Sequence, residues 1–496
     1  MLDGAALHQA VTLRTLGPDG EHFLIPRSGG MTPLERLARD HVHLAELAID
    51  HRALRAHRLN LANTIGYRLF SHRSGKFTDI ATPEGAWVSG ASFSPNGKKL
   101  AFLAHSDRAT ELFVADVATG RTRRVTGRPL LATLVSSLVW TWDSNSLLAV
   151  VVPERMGPLP QPASLPSAPR AFVSDPGRTP NRTFRFLLQS PFERRLLEHL
   201  ITGQLCLIEV ATGELTPIGK PAMLSRIDVA PDGKYFRVST VQKPFSYSVP
   251  LHAFGTRDEI WDISGKPVAR LGERKLRLAQ QSTPPTPSGK RALGWRPDGH
   301  GLSYLEREPP AKPARPSGTP NAPKPAAAAP PVKRKDRVMQ WLAPYSVGTS
   351  KVVWESEIPI DSVAYSQDCQ TIYVTQTDKG TRRVFAVELN NPNRRLTILD
   401  HPTTSTSTPG APPARGRAAE SGRASLLTKP GKHGGRIVRR SRDRRCVFVS
   451  GVDEPKDPSR SGARTYVDRI EPGSNKRTRV WQGAGDAHEA LLAVLD

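Results

Sequence analysis

Apolar and polar positions along this chain fall into short strand-like runs, each closed by a turn signal. One signal recurs. A short apolar run enters a Pro-Asp-Gly type turn and a second apolar run leaves it, at Pro18-Asp19-Gly20, Pro95-Asn96-Gly97, Pro231-Asp232-Gly233 and Pro297-Asp298-Gly299. Degenerate copies stand at Asp143-Ser144-Asn145 and Gln367-Asp368-Cys369. Proline presets φ, Asp or Asn tolerates the next position, and Gly accepts positive φ, so each copy predicts a tight hairpin. A second signal follows several of them: Ala118-Thr119-Gly120, Ala211-Thr212-Gly213 and Ile263-Ser264-Gly265, each after an apolar strand. Two successive hairpins make a four-stranded antiparallel sheet with two faces to cover and two edges to protect. Stacking several such sheets about an axis meets both needs. The expected fold is all-β, a six- to seven-bladed β-propeller occupying 1–496, with the last blade incomplete.

Four stretches interrupt the pattern. Residues 31–56 open on Met31-Thr32-Pro33-Leu34-Glu35, with Thr32 placed as N-cap, and lead into Leu37, Ala38, Val42, Leu44 and Leu47, which predicts a helical insertion. Residues 182–200 predict another, capped at Ser190-Pro191-Phe192-Glu193 and carrying Leu196, Leu197 and Leu200. Both are expected to dock on the propeller without a core of their own. Residues 309–335 form a Pro/Ala/Lys-rich segment with nine prolines between Pro309 and Pro331, read as a disordered loop, and 403–434 read as a low-complexity loop.

Composition adds a charge question. The 496 residues carry 70 Lys+Arg against 46 Asp+Glu, a net +24. The clearest cluster is Arg436, Arg439, Arg440, Arg442, Arg444 and Arg445, offset by Asp443. Such a cluster could bind phosphates, but the remaining cations are scattered and no zinc-finger, RNP or KH motif is present. A solvated basic face is therefore favoured over a nucleic-acid partner. No apolar run approaches the roughly 20 residues of a membrane-spanning helix. The N-terminus shows no signal peptide, which leaves the compartment unknown, with the cytoplasm as the default reading and an N-terminus shortened relative to exported relatives as the alternative.

Candidate chemistry is sparse. Gly90-Ala91-Ser92-Phe93-Ser94 and Gly301-Leu302-Ser303-Tyr304-Leu305 both lack the closing glycine of a nucleophile elbow. His41 and His43, placed on the expected helix, point about 200° apart, which argues against a metal pair. Neither a phosphate loop nor His-Glu-x-x-His occurs. Cys206, Cys369 and Cys446 are too few and too widely spaced for a disulfide scaffold, and structural thiols are expected. The reading assigns no catalytic residue, cofactor or metal.

Several runs resemble the propeller of the glutamyl endopeptidase branch of the prolyl oligopeptidase family. They are Pro33-Leu34-Glu35-Arg36-Leu37-Ala38, Leu44 to Asp50, Val151 to Gly157, Leu205 to Gly219, Pro244-Phe245-Ser246-Tyr247-Ser248-Val249-Pro250, Glu259 to Gly265, Tyr466 to Ile470 and Arg479-Val480-Trp481, in collinear order. The resemblance implies a propeller that screens access to an α/β-hydrolase domain carrying Ser, Asp and His. No position here matches that triad, so the expectation is a truncated or split-gene propeller, inactive alone, from a serine endopeptidase cleaving after Glu. Its partners would be a peptide substrate or a separately encoded hydrolase domain. Two alternatives stand beside it: a stand-alone protein-interaction propeller, and nucleic-acid binding through the Arg436–Arg445 patch. Phe245 and Tyr247 are read as packing aromatics.

Overall fold

A computed structural model describes residues 15–162, 184–277, 289–309, 334–402, 424–431, 433, 435–453, 464–474 and 476–483. The chain falls into two compact units, Met1–Pro284 and Pro285–Asp496.

The first unit holds four blade sheets. Three are four-stranded antiparallel meanders: Trp87–Phe93 to Thr122–Arg124, Val139–Trp140 to Leu215–Ala222, and Leu224–Val229 to Pro267–Arg274. The first sheet pairs His22–Ser28 with Thr64–Ser71 and Phe77–Ile80, and Leu16 adds a single bridge to Phe23 at its edge. The second unit holds three more, beginning at Gly289–Trp295, Ile360–Tyr365 and Ser425–Leu426. The fold is thus of the β-propeller type, with four blade sheets in the first unit and three in the second among the described residues. The unfinished last blade expected from the sequence counts four strands, but its first is only Ser425–Leu426. A hairpin of Thr428–Pro430 and Arg436–Val438 joins the preceding sheet through one parallel pair, Tyr365 with Ile437.

Apolar alternation in the strands explains the packing. Within each unit the cores lie between consecutive sheets. Leu69 and Ile80 meet Leu100 and Phe102; Leu103 and Leu112 meet Leu147 and Cys206; Leu148 and Leu205 meet Val229 and Phe236. In the second unit Val338 and Trp354 meet Ile372 and Val374, and Tyr373 and Val384 meet Val447 and Val449. Burial of this kind contributes about 25 cal/mol per Å² of apolar surface.

Turn chemistry repeats with the sheets. The Ser94 hydroxyl donates to Asn96 (2.8 Å) and accepts the Lys99 N–H (2.9 Å). Thr141 does the same with Asp143 and Ser146, and Ser366 with Asp368 and Thr371. A further copy lies inside the basic cluster, where Ser441 donates to Asp443 and accepts the Cys446 N–H (3.0 Å). This is a seventh turn of the repeat, one more than the sequence motif displays. Where Gly is replaced the backbone still takes positive φ, 64° at Ser144, 54° at Cys369 and 59° at Arg444, at a cost of roughly 1–2 kcal/mol each.

The second hairpin turn of a sheet docks on the preceding sheet. The Gly120 carbonyl accepts the Ala81 N–H, and Gly219 N–H donates to the Ser264 carbonyl. A Cβ on Gly120 would sit 2.2 Å from the Asp79 carbonyl oxygen, and one on Gly213 would sit 2.1 Å from that of Val125. In the second unit Gly473 N–H donates to Thr397 in the same way.

Long insertions leave from the opposite end, between second and third strands. Residues 31–56 are not a helix beyond the single turn Leu34–Leu37; they form a small sheet of Val42–Leu44, Leu47–Asp50 and Arg55–Ala56. Thr32 does not cap that turn, because its hydroxyl donates to the Leu61 carbonyl instead. β-Branched and alternating residues at 42–50 then favour pairing over helix. The second insertion does contain the expected helix, Pro191–Ile201, with Ser190 accepting the Glu193 N–H at 3.2 Å. Contrary to expectation, the insertions build a core of their own: Leu44 and Ile49 pack with Leu196, Leu197, Leu200, Phe245 and Phe254. Three insertions emerging from the same end of neighbouring sheets bring their apolar faces together. Residues 310–333 and 403–423 lie outside the described residues; the remainder of the stretch read as a 403–434 loop includes strands at Ser425–Leu426 and Thr428–Pro430.

Candidate functional site

Neither serine weighed as a nucleophile stands in an elbow. Ser92 lies within the strand Trp87–Phe93, and Ser303, in Leu302–Arg307, accepts a hydrogen bond from the Tyr365 hydroxyl. The Cys206 and Cys369 thiols are buried, and burial pushes both up to about 11. They are inert packing groups. Phe245 stacks on Phe254 with ring centroids 5.4 Å apart, and Tyr247 packs under the Arg194 guanidinium, 5.3 Å from its ring centroid, so the aromatics of that run serve packing.

His41 and His43 are corrected by the strand geometry. They flank Val42, and residues two apart in extended chain share a face. Their Nε2 atoms lie 3.1 Å apart, His41 stacks on His57 at 3.9 Å, and His43 stacks on Phe186 at 3.8 Å. Burial and the neighbouring His41 and Arg185 hold the His43 imidazole below its ordinary value. Among the described residues no group of three or more His, Cys, Asp or Glu is arranged to hold a metal ion.

The basic cluster makes the most developed site. A cavity of about 690 Å³ in the second unit is lined by Lys429, Arg439, Arg440, Arg442 and Arg444, with Asp368. Three segments supply the cations: the strand Thr428–Pro430, the two residues after Arg436–Val438, and the turn that Ser441 and Asp443 close. Asp368 comes from the corresponding turn of the preceding sheet. The Ser366 hydroxyl and the Gln370 N–H hold its carboxyl below the usual carboxylate range, with Arg440 adding to this. Arg440 Nη2 donates to the Arg444 carbonyl, while its buried Nε has no hydrogen-bond partner among the described residues. Arg436 and Arg445 of the sequence cluster are exposed and do not line the cavity. What the linear sequence could not give is Lys429 and Asp368, which only sheet pairing brings beside the arginines.

All-β sheets packed in series, short hydroxyl-closed turns and insertions at one sheet end define a propeller protein. Two curated relatives place it more closely. It is 29% identical over 312 residues to a protein named probable glutamyl endopeptidase, chloroplastic, of Oryza sativa subsp. japonica, covering 58% of this chain and 32% of that one. It is 27% identical over 308 residues to the protein of the same name of Arabidopsis thaliana, covering 59% and 32%. Both matches bear out the likeness to the glutamyl endopeptidase-like branch of the prolyl oligopeptidase family. It spans about a third of the length of these relatives. No family model matches it. Among solved structures, an oligogalacturonate lyase in complex with manganese aligns with TM-score 0.37 and 12% identity over 82% of this chain and 83% of that one. A prolyl endopeptidase gives 0.36 and 12% over 84% and 46%, and the Pyrococcus horikoshii acylaminoacyl peptidase 0.33 and 15% over 84% and 47%. Among the described residues no helix is long and apolar enough to cross a membrane.

Proposed function

We propose that this chain is the substrate-screening propeller of a serine endopeptidase of the prolyl oligopeptidase family, and that it contributes no catalytic residue. The observation that carries this reading is the 312-residue likeness to a glutamyl endopeptidase, combined with a sequence in which no Gly-x-Ser-x-Gly occurs. Acyl transfer needs an activated nucleophile, a base and an oxyanion hole held together, and the serines weighed above have strand and packing roles. The complete enzyme would act on peptides, with cleavage after Glu as the relatives' name indicates for them. A strongly cationic protein would favour the approach of acidic peptides by long-range attraction.

The test is an assay of the purified chain on chromogenic peptides containing Glu, with and without a serine-directed phosphonate. No turnover is expected. Turnover abolished by the phosphonate would overturn the non-catalytic assignment.

A further inference from the structure

Strand geometry turns His41 and His43 from a divergent pair into a convergent one, with Nε2 atoms 3.1 Å apart. An ion at about 2.0–2.1 Å from both nitrogens, the usual distance to imidazole, would subtend an N–metal–N angle of about 100°. That angle lies between the right angle of a square-planar or octahedral site and the tetrahedral angle. Neither ring has to move to hold one ion. His41 is half-buried and His43 exposed, so the pair is open to entry from solvent.

The surroundings fix this aim. Val42 and Leu44 pack into the insertion core, so alternation sends the two histidines to the opposite side, where the residue across from His43 is only Ala48. His41 Nδ1 lies 2.8 Å from the Arg39 carbonyl. A carbonyl only accepts, so Nδ1 carries the proton and the Nε2 lone pair faces His43. Metal-binding histidines are oriented by a second contact of this kind. Both rings are also clamped, His41 on His57 at 3.9 Å and His43 on Phe186 at 3.8 Å. His57 stacks within 17° of parallel, with Nδ1 beside Asn60, which makes it a platform and not a third donor. The neighbouring carboxylates are committed elsewhere, Asp50 to Arg39 and Arg55, and Asp40 to Arg52. Arg185 stands 5.1 Å from the Phe186 ring centroid, and Glu46, which accepts the Phe186 N–H at 2.7 Å, brings a negative charge to the same segment. A proton on His43 Nε2 would satisfy the pair by itself, but an ion takes that place when His43 carries its proton on Nδ1.

We propose that His41 Nε2 and His43 Nε2 chelate one divalent transition-metal ion of the copper or zinc class, for which imidazole nitrogen is a suitable ligand. Two protein ligands leave the remaining positions to water. Structural sites close all four positions with protein, so this is an exchangeable ion on which the fold does not depend.

Titration of the full chain, free of any affinity tag, with copper(II) tests this, followed by calorimetry and electron paramagnetic resonance; copper binds such ligands most tightly among the divalent ions of the series. One tightly bound ion per chain is expected, with the spectral signature of two imidazole nitrogens. His41→Phe and His43→Phe keep the rings stacked on His57 and Phe186 while deleting the nitrogens. Each should bind at least about tenfold more weakly, since even an outer-shell partner of a metal site is worth that much, and each should show one imidazole at most. His300→Gln, at an exposed position of the second unit, should bind as the parent does, and circular dichroism confirms that each variant is folded. Equal affinity in the parent and both Phe variants would overturn the site, as would a one-imidazole signature in the parent. Equal affinity of the folded chain and the chain unfolded in urea would also overturn it, leaving an adventitious His-x-His only. Peptide turnover plays no part in this readout, so it stands or falls separately from the peptidase reading.

Discussion

The Arg55 guanidinium and the Asp50 carboxylate face each other out of reach of solvent, Nη2 3.5 Å from Oδ2, with relative exposures of 0% and 1%. Arg55 also donates to Asn60 (2.6 Å) and to the Ala109 carbonyl (2.9 Å), and its guanidinium lies 4.8 Å from the Trp87 ring centroid. Asp50 accepts from Asn60, Arg39 and the Ala53 N–H. The pair lies within the small inserted sheet, and the Arg55 contacts with the Ala109 carbonyl and Trp87 fasten that sheet to the second blade.

Removing one partner strands the other. Arg55→Met should cost about 3–5 kcal/mol, the usual penalty for orphaning one side of a buried ion pair, read as a lower urea midpoint. The double variant Arg55→Met/Asp50→Leu should recover part of the loss. Burial pushes the Asp50 carboxyl up, but Asn60, the Ala53 N–H, Arg55 and Arg39 together hold it below its ordinary 3.8. Its contribution is therefore complete above that value and disappears as pH falls below it.

His105 governs a milder acid range. It is buried between Ser89 (2.8 Å) and Thr110 (3.0 Å), and burial, with Arg55 and Arg36 adding to it, brings its pKa down to about 3 from 6.5. The unfolded chain then binds the proton first. The His105 share of stability is full above 6.5 and falls with a slope approaching 1.4 kcal/mol per pH unit as pH drops toward 3. Thermal melts from pH 7 to 4 should show this decline, and His105→Gln should flatten it.

Gly120 and Gly233 make a controlled pair. Both have positive φ, 69° in each. Of the two, Gly120 meets the backbone of the preceding blade, 2.2 Å from the built Cβ, whereas nothing among the described residues lies within 4 Å of a Cβ on Gly233. Gly233→Ala should cost about 1 kcal/mol for backbone conformation alone. Gly120→Ala should cost about 2–4 kcal/mol, because the turn must also withdraw from Asp79. Equal losses in chemical denaturation would show that the contact between blades is not tight.

Ser441→Ala and Ser366→Ala should each lower stability by about 1 kcal/mol. Each hydroxyl serves an N–H five residues on and a carboxylate two residues on. Ser441→Thr should keep both bonds and restore the midpoint.

The propeller was legible because its signal is local and repeated. Proline, Asp and Gly at 18–20, 95–97, 231–233 and 297–299 announce hairpins wherever they occur. The seventh copy escaped because Arg442 and Arg444 replace Pro and Gly, leaving the Ser441 and Asp443 pair as the surviving trace. The inserted sheet escaped for a different reason. Thr32, Pro33 and Glu35 form a sound capping signal, yet the hydroxyl finds a partner 29 residues away at Leu61, which no local pattern encodes. With the helix gone, the supposed divergence of His41 and His43 went too. The cavity could be read only in part, since its arginines are contiguous but Asp368 and Lys429 arrive through pairing between strands.

The division of labour between the two ends of each sheet bears on engineering. The hairpin turns at Gly120 and Gly213 are wedged against neighbouring backbone at one end, so an added domain there would pry blades apart. The connection between Leu302–Arg307 and Asp336–Trp341, at the other end, is 28 residues long, and loop closure grows only slowly more unfavourable with length. A fluorescent protein or affinity handle spliced into that connection should be carried as cargo, with the host melting where it did before.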